Sequence, residues 1–280
     1  MMRALYSGVS GLKNHQTRLD VIGNNIANVN TVGFKSSRVV FQDLYSQTIG
    51  SGSGANGAAI GGENSSQVGL GSSLSAIDVL HTRGATQYTG APLDLSIEGD
   101  GYFIVSAGGS EYFTRAGNFA LDDEYNLVNA EGYFVQGYSL ADPPTIPPSI
   151  DYGTMGNIRL SNAYYDIAVD QNGAIWGLDV STNEKVQIGQ LQLATFSNSS
   201  GLDKVGGSLY VAGANSGTAT YANPGQSGAG LLSVNALEMS NVDLAQEFTE
   251  MIVTQRGFQA CSRIITTTDQ ILEELVNMKR

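Results

Sequence analysis

The sequence predicts an α+β chain, with long heptad-striped helices at the N- and C-termini flanking a mainly β, hairpin-rich domain. Three observations lead there. Leu5, Leu12, Leu19 and Ile26 recur every seven residues near the start. Leu244, Met251, Phe258, Ile265 and Leu272 recur every seven near the end. Seven-residue spacing keeps apolar side chains on one side of a helix and marks a packed seam. Between the two, short apolar runs alternate with turn residues, as in 93–105, 112–128, 164–178 and 187–196, the pattern of strands.

Taken in order, residues 1–33 form the N-terminal helix, with Val9, Ile22 and Val29 beside its stripe. Gly8, Gly11 and Gly23 interrupt it, each costing about 1 kcal/mol relative to alanine in an isolated helix, so it needs a partner. Asn24, Asn25, Asn28, Asn30 and Gly33 bring it to an end. Residues 34–75 open with a mixed segment and become Gly/Ser-rich, which reads as a linker region. The β-rich domain occupies 76–237. Asp100-Gly101 and Asn172-Gly173 are type I′ hairpin signals. Four prolines between 143 and 148 make a stiff surface loop, and 212–230 is a second glycine-rich linker. The C-terminal helix lies within 238–280, from about 242 to 278 and roughly 55 Å long, capped by Asn241 or Asp243. It is expected to pair with 1–33. A striped helix beyond a linker has no core of its own, so its seam is buried on the other terminal helix or on further copies of the chain.

Composition narrows the function classes. Only 14% of the 280 residues are charged and 35 are glycine. The net charge of −12 excludes a general nucleic-acid binder. Residues 1–40 hold five bases against one acid, whereas 236–280 hold four bases against seven acids, so the two ends carry opposite signs. One cysteine, Cys261, allows no internal disulfide and reads as a small apolar residue. The N-terminus lacks the apolar run and cleavage site of a signal peptide, and no apolar stretch is long enough to span a membrane.

No catalytic, cofactor or metal site is expected. Residues 52–57 match G-x-G-x-x-G but sit in low-complexity sequence, without the strand and helix that phosphate cradling requires. His15 and His81 have no nucleophile elbow beside them and read as ordinary polar residues. Asp170 to Gly173 lacks the remaining ligands of a calcium loop, and Asp122, Asp123 and Glu124 read as solvated turn acids. Tyr133, Tyr138, Tyr164, Tyr165 and Trp176 leave open a secreted adhesin or glycan-binding module, though the matched terminal helices favour a polymer.

The segment Val21 to Lys35, which holds Asn24, Asn25, Ala27, Asn28, Asn30, Thr31, Gly33, Phe34 and Lys35, resembles the N-terminal signature of bacterial flagellar rod and hook proteins. The likeness continues through Ser36 to Asp43, residues 92–105 and Thr114 to Phe119. At the other end, Ser240, Asn241 and Val242 open a segment that runs through Gln255 and Arg256 to Phe258 and resembles the family's closing helix, as does 264–272. The resemblance implies a structural subunit that polymerises with itself into a tube. Its further implied partners are neighbouring axial proteins: the distal rod, the hook cap and the hook–filament junction. It also implies location in the hook or basal body, and export by the flagellar type III apparatus without a cleavable signal. The wording of 36–43 and 254–259 and the ending Glu-Leu-Val-Asn-Met-Lys-Arg280 are similar to the hook branch rather than the distal-rod branch. The chain is nevertheless too short for the extra outer domain that many hook proteins carry.

Overall fold

The computed structural model describes residues 2–54, 62–139, 155–161, 163–180 and 183–278. They fall into two compact units, Met1–Ala27 with Ser37–Val79 and Asp243–Arg280, and Asn28–Ser36 with Leu80–Val242.

The first unit is built on α1 (Met2–Ala27) and α2 (Leu244–Asn277). Asp243 caps α2 through its carboxylate, which accepts from the Ala245 and Gln246 amides and satisfies donors that a helix start leaves free. The helices run antiparallel, since Gly8 faces Ile265 while Arg18 reaches Glu250. Strand β1 (Ser37–Asp43) pairs antiparallel with β4 (Ser72–Val79), Ser37 opposite Val79, with a bulge at Val40/Phe41. Strand β2 (Ser46–Gly50) pairs with β3 (Ser66–Gly69). More than half of the described residues in the expected linker over 34–75 are therefore strand. Short runs such as Ser-Gln-Thr-Ile and Ser-Gln-Val order by pairing with each other, which composition alone does not reveal. The ribbon is tied to α1, where the Asn14 carboxamide donates to Ser72 Oγ at 2.8 Å.

The second unit carries the main sheet. Strand β5 (Thr86–Tyr88) pairs with Ala236–Glu238, and β6 (Leu95–Glu98) with Leu231–Val234. Strands β7 (Tyr102–Ala107) and β8 (Ser110–Thr114) form a hairpin at its centre. The sheet runs Tyr164–Val169, Ala174–Asp179, Lys185–Leu191, Phe134–Ser139, β7, β8, Leu209–Ala212, Leu202–Gly206. Strand β7 is buried on both faces. Phe103 and Val105 join a core with Leu95, Ile97 and Leu191, while Tyr102 and Ile104 join a second with Phe113 and Tyr210. That is why 102–105 is continuously apolar instead of alternating.

Both hairpin expectations change in detail. Asp100-Gly101 does not join β6 to β7 as a hairpin, because β6 pairs elsewhere. Its glycines hold a close crossing, and a Cβ on Gly99 (φ +134°) would sit 2.9 Å from the Gly230 Cα. Asn172-Gly173 does turn a hairpin, but only Gly173 has positive φ. The Gly173 amide donates to Asp170 O and the Asp170 amide to Ala174 O, the three-residue form with glycine in the left-handed position. The supposed linker 212–230 contains Thr220–Ala222, paired with Leu193–Thr195. The 143–148 loop, 55–57 of the G-x-G-x-x-G match, Lys279 and Arg280 lie outside the described residues.

Candidate assembly interface

Within the first unit the seam between α1 and α2 is built on small residues. A Cβ on Gly8 would meet Ile265 at 3.3 Å, one on Gly11 would meet Cys261 Sγ at 2.9 Å, and one on Gly257 would lie 2.6 Å from the His15 ring. Two of the glycines that weaken an isolated α1, Gly8 and Gly11, are thus what lets α2 approach it, whereas Gly23 has nothing within 4 Å. Leu5, Leu12, Leu19 and Ile26 are half-buried, as are Met251, Phe258, Ile265 and Leu272, whereas Leu244 is exposed. The other line of the α2 seam, Glu247, Thr254, Cys261 and Thr268, is polar or small, and Thr254 and Thr268 return their hydroxyls to carbonyls one turn back. A search for large apolar residues passes over this line.

The polar groups of the seam are paired unevenly. Arg18 donates to Glu250 at 2.9 Å, and the guanidinium holds that carboxyl below its usual range. The pair is about one-third exposed on each side and is worth about 1 kcal/mol at most. Asn25 is 1% exposed. Its carboxamide accepts from the Ser37 amide and donates to Ser37 O and to Glu247 Oε1. Burial pushes the Glu247 carboxyl up. Burial, and then Arg18, hold His15 below its usual value, so a neutral ring packs on Gly257.

A large apolar surface stays open. On α1, Tyr6 is 67% exposed, and on α2 Ile252 and Val253 exceed half exposure, with Phe248, Ile264, Ile271 and Leu275 above two-fifths. At 100° per residue these fall into two flanks of α2. Phe248 and Ile252 lie to one side, and Ile264, Ile271 and Leu275 to the other. Between them, on the side away from α1, runs a polar line of Arg256, Arg263 and Gln270, all exposed, with a notch at Gln259 and Ala260 between the two arginines. Gln255 is exposed as well, and Arg256 donates to Gln259 Oε1.

The remaining motif residues serve the second unit. Lys35 is fully buried and donates to Glu238 Oε1 at 2.5 Å and to Thr82 O at 2.8 Å. Burial lowers its pKa, with Glu238 opposing. Arg115, 2% exposed, donates to Glu238 Oε2 and lies 5.1 Å over the Tyr102 ring. The Asn241 carboxamide accepts from the Ser36 amide and donates to Leu80 O and Thr82 Oγ1. Gly33 has φ +67° and no room for a Cβ, which would sit 2.6 Å from the Ala116 amide. Thr31 donates to Asn28 Oδ1, and Lys204 lies over the Phe34 ring and donates to Lys35 O. The Val242 amide donates to Ser240 Oγ, while Asn24, Ala27 and Asn30 are exposed.

Glu238 is the residue that sequence reasoning missed. A single acid in an apolar strand gives no periodic signal, although Lys35 and Arg115 both stand in the quoted motifs. His81 was read as an ordinary polar residue, but its Nδ1 lies 2.7 Å from the Tyr102 hydroxyl and burial pushes it down to about 4. Among the described residues no group of three or more His, Cys, Asp or Glu side chains could hold a metal. No described helix is long and apolar enough to cross a membrane.

Three protein families match the chain in order. They are described as flagella basal body rod protein over 5–35, flagellar hook protein FlgE/F/G D1 domain over 96–177, and flagellar basal body rod FlgEFG protein C-terminal over 234–278. The flagellar basal-body rod protein FlgG of Bacillus subtilis is 54% identical, with all of both chains covered. That of Caulobacter vibrioides is 37% identical over 97% of each. The flagellar hook protein FlgE of Borreliella burgdorferi is 31% identical with both chains fully covered, but the alignment takes 442 positions. Identity thus runs higher to relatives named for the rod, the reverse of the branch suggested by the wording of 36–43 and 254–259.

Proposed function

Because this chain belongs to the flagellar rod and hook protein family, we propose that it is a subunit of the distal rod, the straight shaft of the basal body, and not of the hook. It is a structural protein of the flagellar axis and not an enzyme. The observation that carries the rod reading is the 54% identity to a rod-named relative, end to end over 283 positions. The hook-named relatives, by contrast, bring length that this chain does not have, as their alignments of 442 and 465 positions require.

The mechanism is mechanical. The α1–α2 seam closes within one chain, and the two apolar flanks of α2 then pack against neighbouring copies on either side. The polar line of Arg256, Arg263 and Gln270 stays wet. Burying a Phe or Ile from full exposure contributes about 1.5–3 kcal/mol. These side chains, already about half-buried, each add about half of that, so several must act together to offset the cost of association. Torque passes along the shaft through these contacts. The subunit leaves the cell by the flagellar export apparatus and meets other axial proteins at the two ends of the polymer.

Electron microscopy of the concentrated protein tests the reading. Straight tubes are expected. Curved tubes restore the hook, and wild-type protein that stays monomeric returns the binding-module alternative. Leu12→Asp and Phe258→Asp are expected to abolish tubes while leaving the β-sheet unit folded, and normal tubes from either remove the seam from the account.

A further inference from the structure

Four stretches distant in sequence meet around two side chains of the second unit. The Glu238 carboxylate accepts from Lys35, from Arg115 and from the Gly84 amide, and its backbone carbonyl accepts from the Gly33 amide. Three residues on, Asn241 holds the Ser36 amide together with Leu80 and Thr82. Backbone contact is equally tight, since the Met239 amide donates to Ala85 O and Gly84 has no room for a Cβ against Met239 O. Residues 28–36 lead directly out of α1, and 236–242 lead directly into α2.

This cluster is asymmetric in charge. Lys35 and Arg115 are two buried cations facing one buried anion, and among the described residues Glu238 is the only carboxylate in an ion pair with either. Without 236–241, Lys35 and Arg115 lose their anion and the Gly33, Ser36 and Gly84 amides lose their acceptors. Segments 28–36 and 80–85 then keep only lesser ties, such as the Leu80 amide to Ser36 O and Lys204 to Lys35 O, which do not offset the cost of burying unpaired cations and donors. The hairpin β7–β8 has no such dependence. It is hydrogen-bonded within itself and packed on Leu191, Leu193 and Tyr210.

We propose that Glu238 is a closing latch, so that 28–36 and 80–85 remain locally unfolded until the C-terminal segment 236–241 docks and the roots of both terminal helices become fixed in that last step. The chain cannot complete its fold until nearly its whole length is free. For a subunit handed to a growing polymer, sticky helix roots are set only once the body is built. That use rests on the proposed function, but the latch does not.

Pulsed hydrogen exchange during refolding of the full-length wild-type protein tests it. Peptides from 102–114 are expected to gain protection first, with 28–36 and 80–85 following at the rate of 236–241. Protection of 28–36 before 236–241 overturns the proposal. At equilibrium, full-length Glu238→Gln is expected to speed exchange in 28–36 and 80–85 at least tenfold with 102–114 unchanged. Wild-type protection in those segments, or equal loss in 102–114, counts against a latch. If the variant does not fold, the wild-type refolding order decides. Tube formation by wild-type protein reports on the polymer reading independently.

Discussion

Closing Gly257 with a methyl group measures how near the two terminal helices lie. In an open helix position, glycine to alanine gains about 1 kcal/mol, and Gly23, with nothing within 4 Å of its would-be Cβ, is such a position. At Gly257 the same methyl would sit 2.6, 2.7 and 3.2 Å from three atoms of the His15 ring, about 1 Å inside the best packing distance at the closest. The ring has little freedom to swing away, since its Nδ1 is enclosed. Overpacking of this kind costs about 1–3 kcal/mol, which outweighs the propensity gain. Gly257→Ala should therefore lose about 1 kcal/mol where Gly23→Ala gains about 1 kcal/mol. Denaturation followed by circular dichroism at 222 nm reads both, because the helices dominate that signal. His15→Ala combined with Gly257→Ala should recover the gain, giving a coupling of about 1–3 kcal/mol in the double-mutant cycle. If Gly257→Ala stabilises as much as Gly23→Ala, the helices do not approach at this level and the seam is wrongly placed.

Three further outcomes follow from the same contacts. Asn25→Ala leaves the Ser37 amide and carbonyl without the partner they share, and should cost about 2–3 kcal/mol in the same denaturation assay. Gly33→Ala combines a strained positive φ with a methyl driven into the Ala116 backbone, so loss of soluble folded protein on expression is expected, with Gly109→Ala, in open space, as the milder control. The His81 pKa is depressed from 6.5 to about 4 by burial and nearby cations. Its contribution is therefore fully present above pH 6.5, declines as the proton is taken up by the unfolded chain, and is gone below about 4. After discounting for its partial exposure this amounts to about 2 kcal/mol, and His81→Gln should flatten urea stability across that window.

How far the sequence foretold this molecule depends on what kind of signal each part leaves. The helices were legible because seven-residue recurrence survives in any context, and Ala27 ends α1 within the asparagine-rich stretch expected to stop it. The β2–β3 pairing was hidden because its strands are short and polar, and their order comes from each other. The seam was half visible. Its large residues stood out, but Thr254, Cys261 and Thr268 are small by necessity where the helices come closest, and smallness gives no hydrophobic signal. The Glu238 cluster was illegible as an interaction because its members lie up to 203 residues apart, and only the fold puts two buried cations beside one acid.

The two asparagines show why a short motif can specify so much. Asn25 and Asn241 each accept from a backbone amide with Oδ1 while donating through Nδ2, Asn25 to Ser37 O and Glu247, Asn241 to Leu80 O and Thr82. The backbone residues they hold, Ser37 and Ser36, are neighbours in the chain. Aspartate at either position would keep the acceptor, lose both donors and set a carboxylate against carbonyl oxygens. Serine or threonine cannot reach two segments at once. Only a carboxamide of this length bridges in both directions, so the positions are fixed by geometry before any contact with a neighbouring copy is made. Many side chains can fill a seam, but at the exit of α1 and before the entry of α2 Asn25 and Asn241 each donate and accept together.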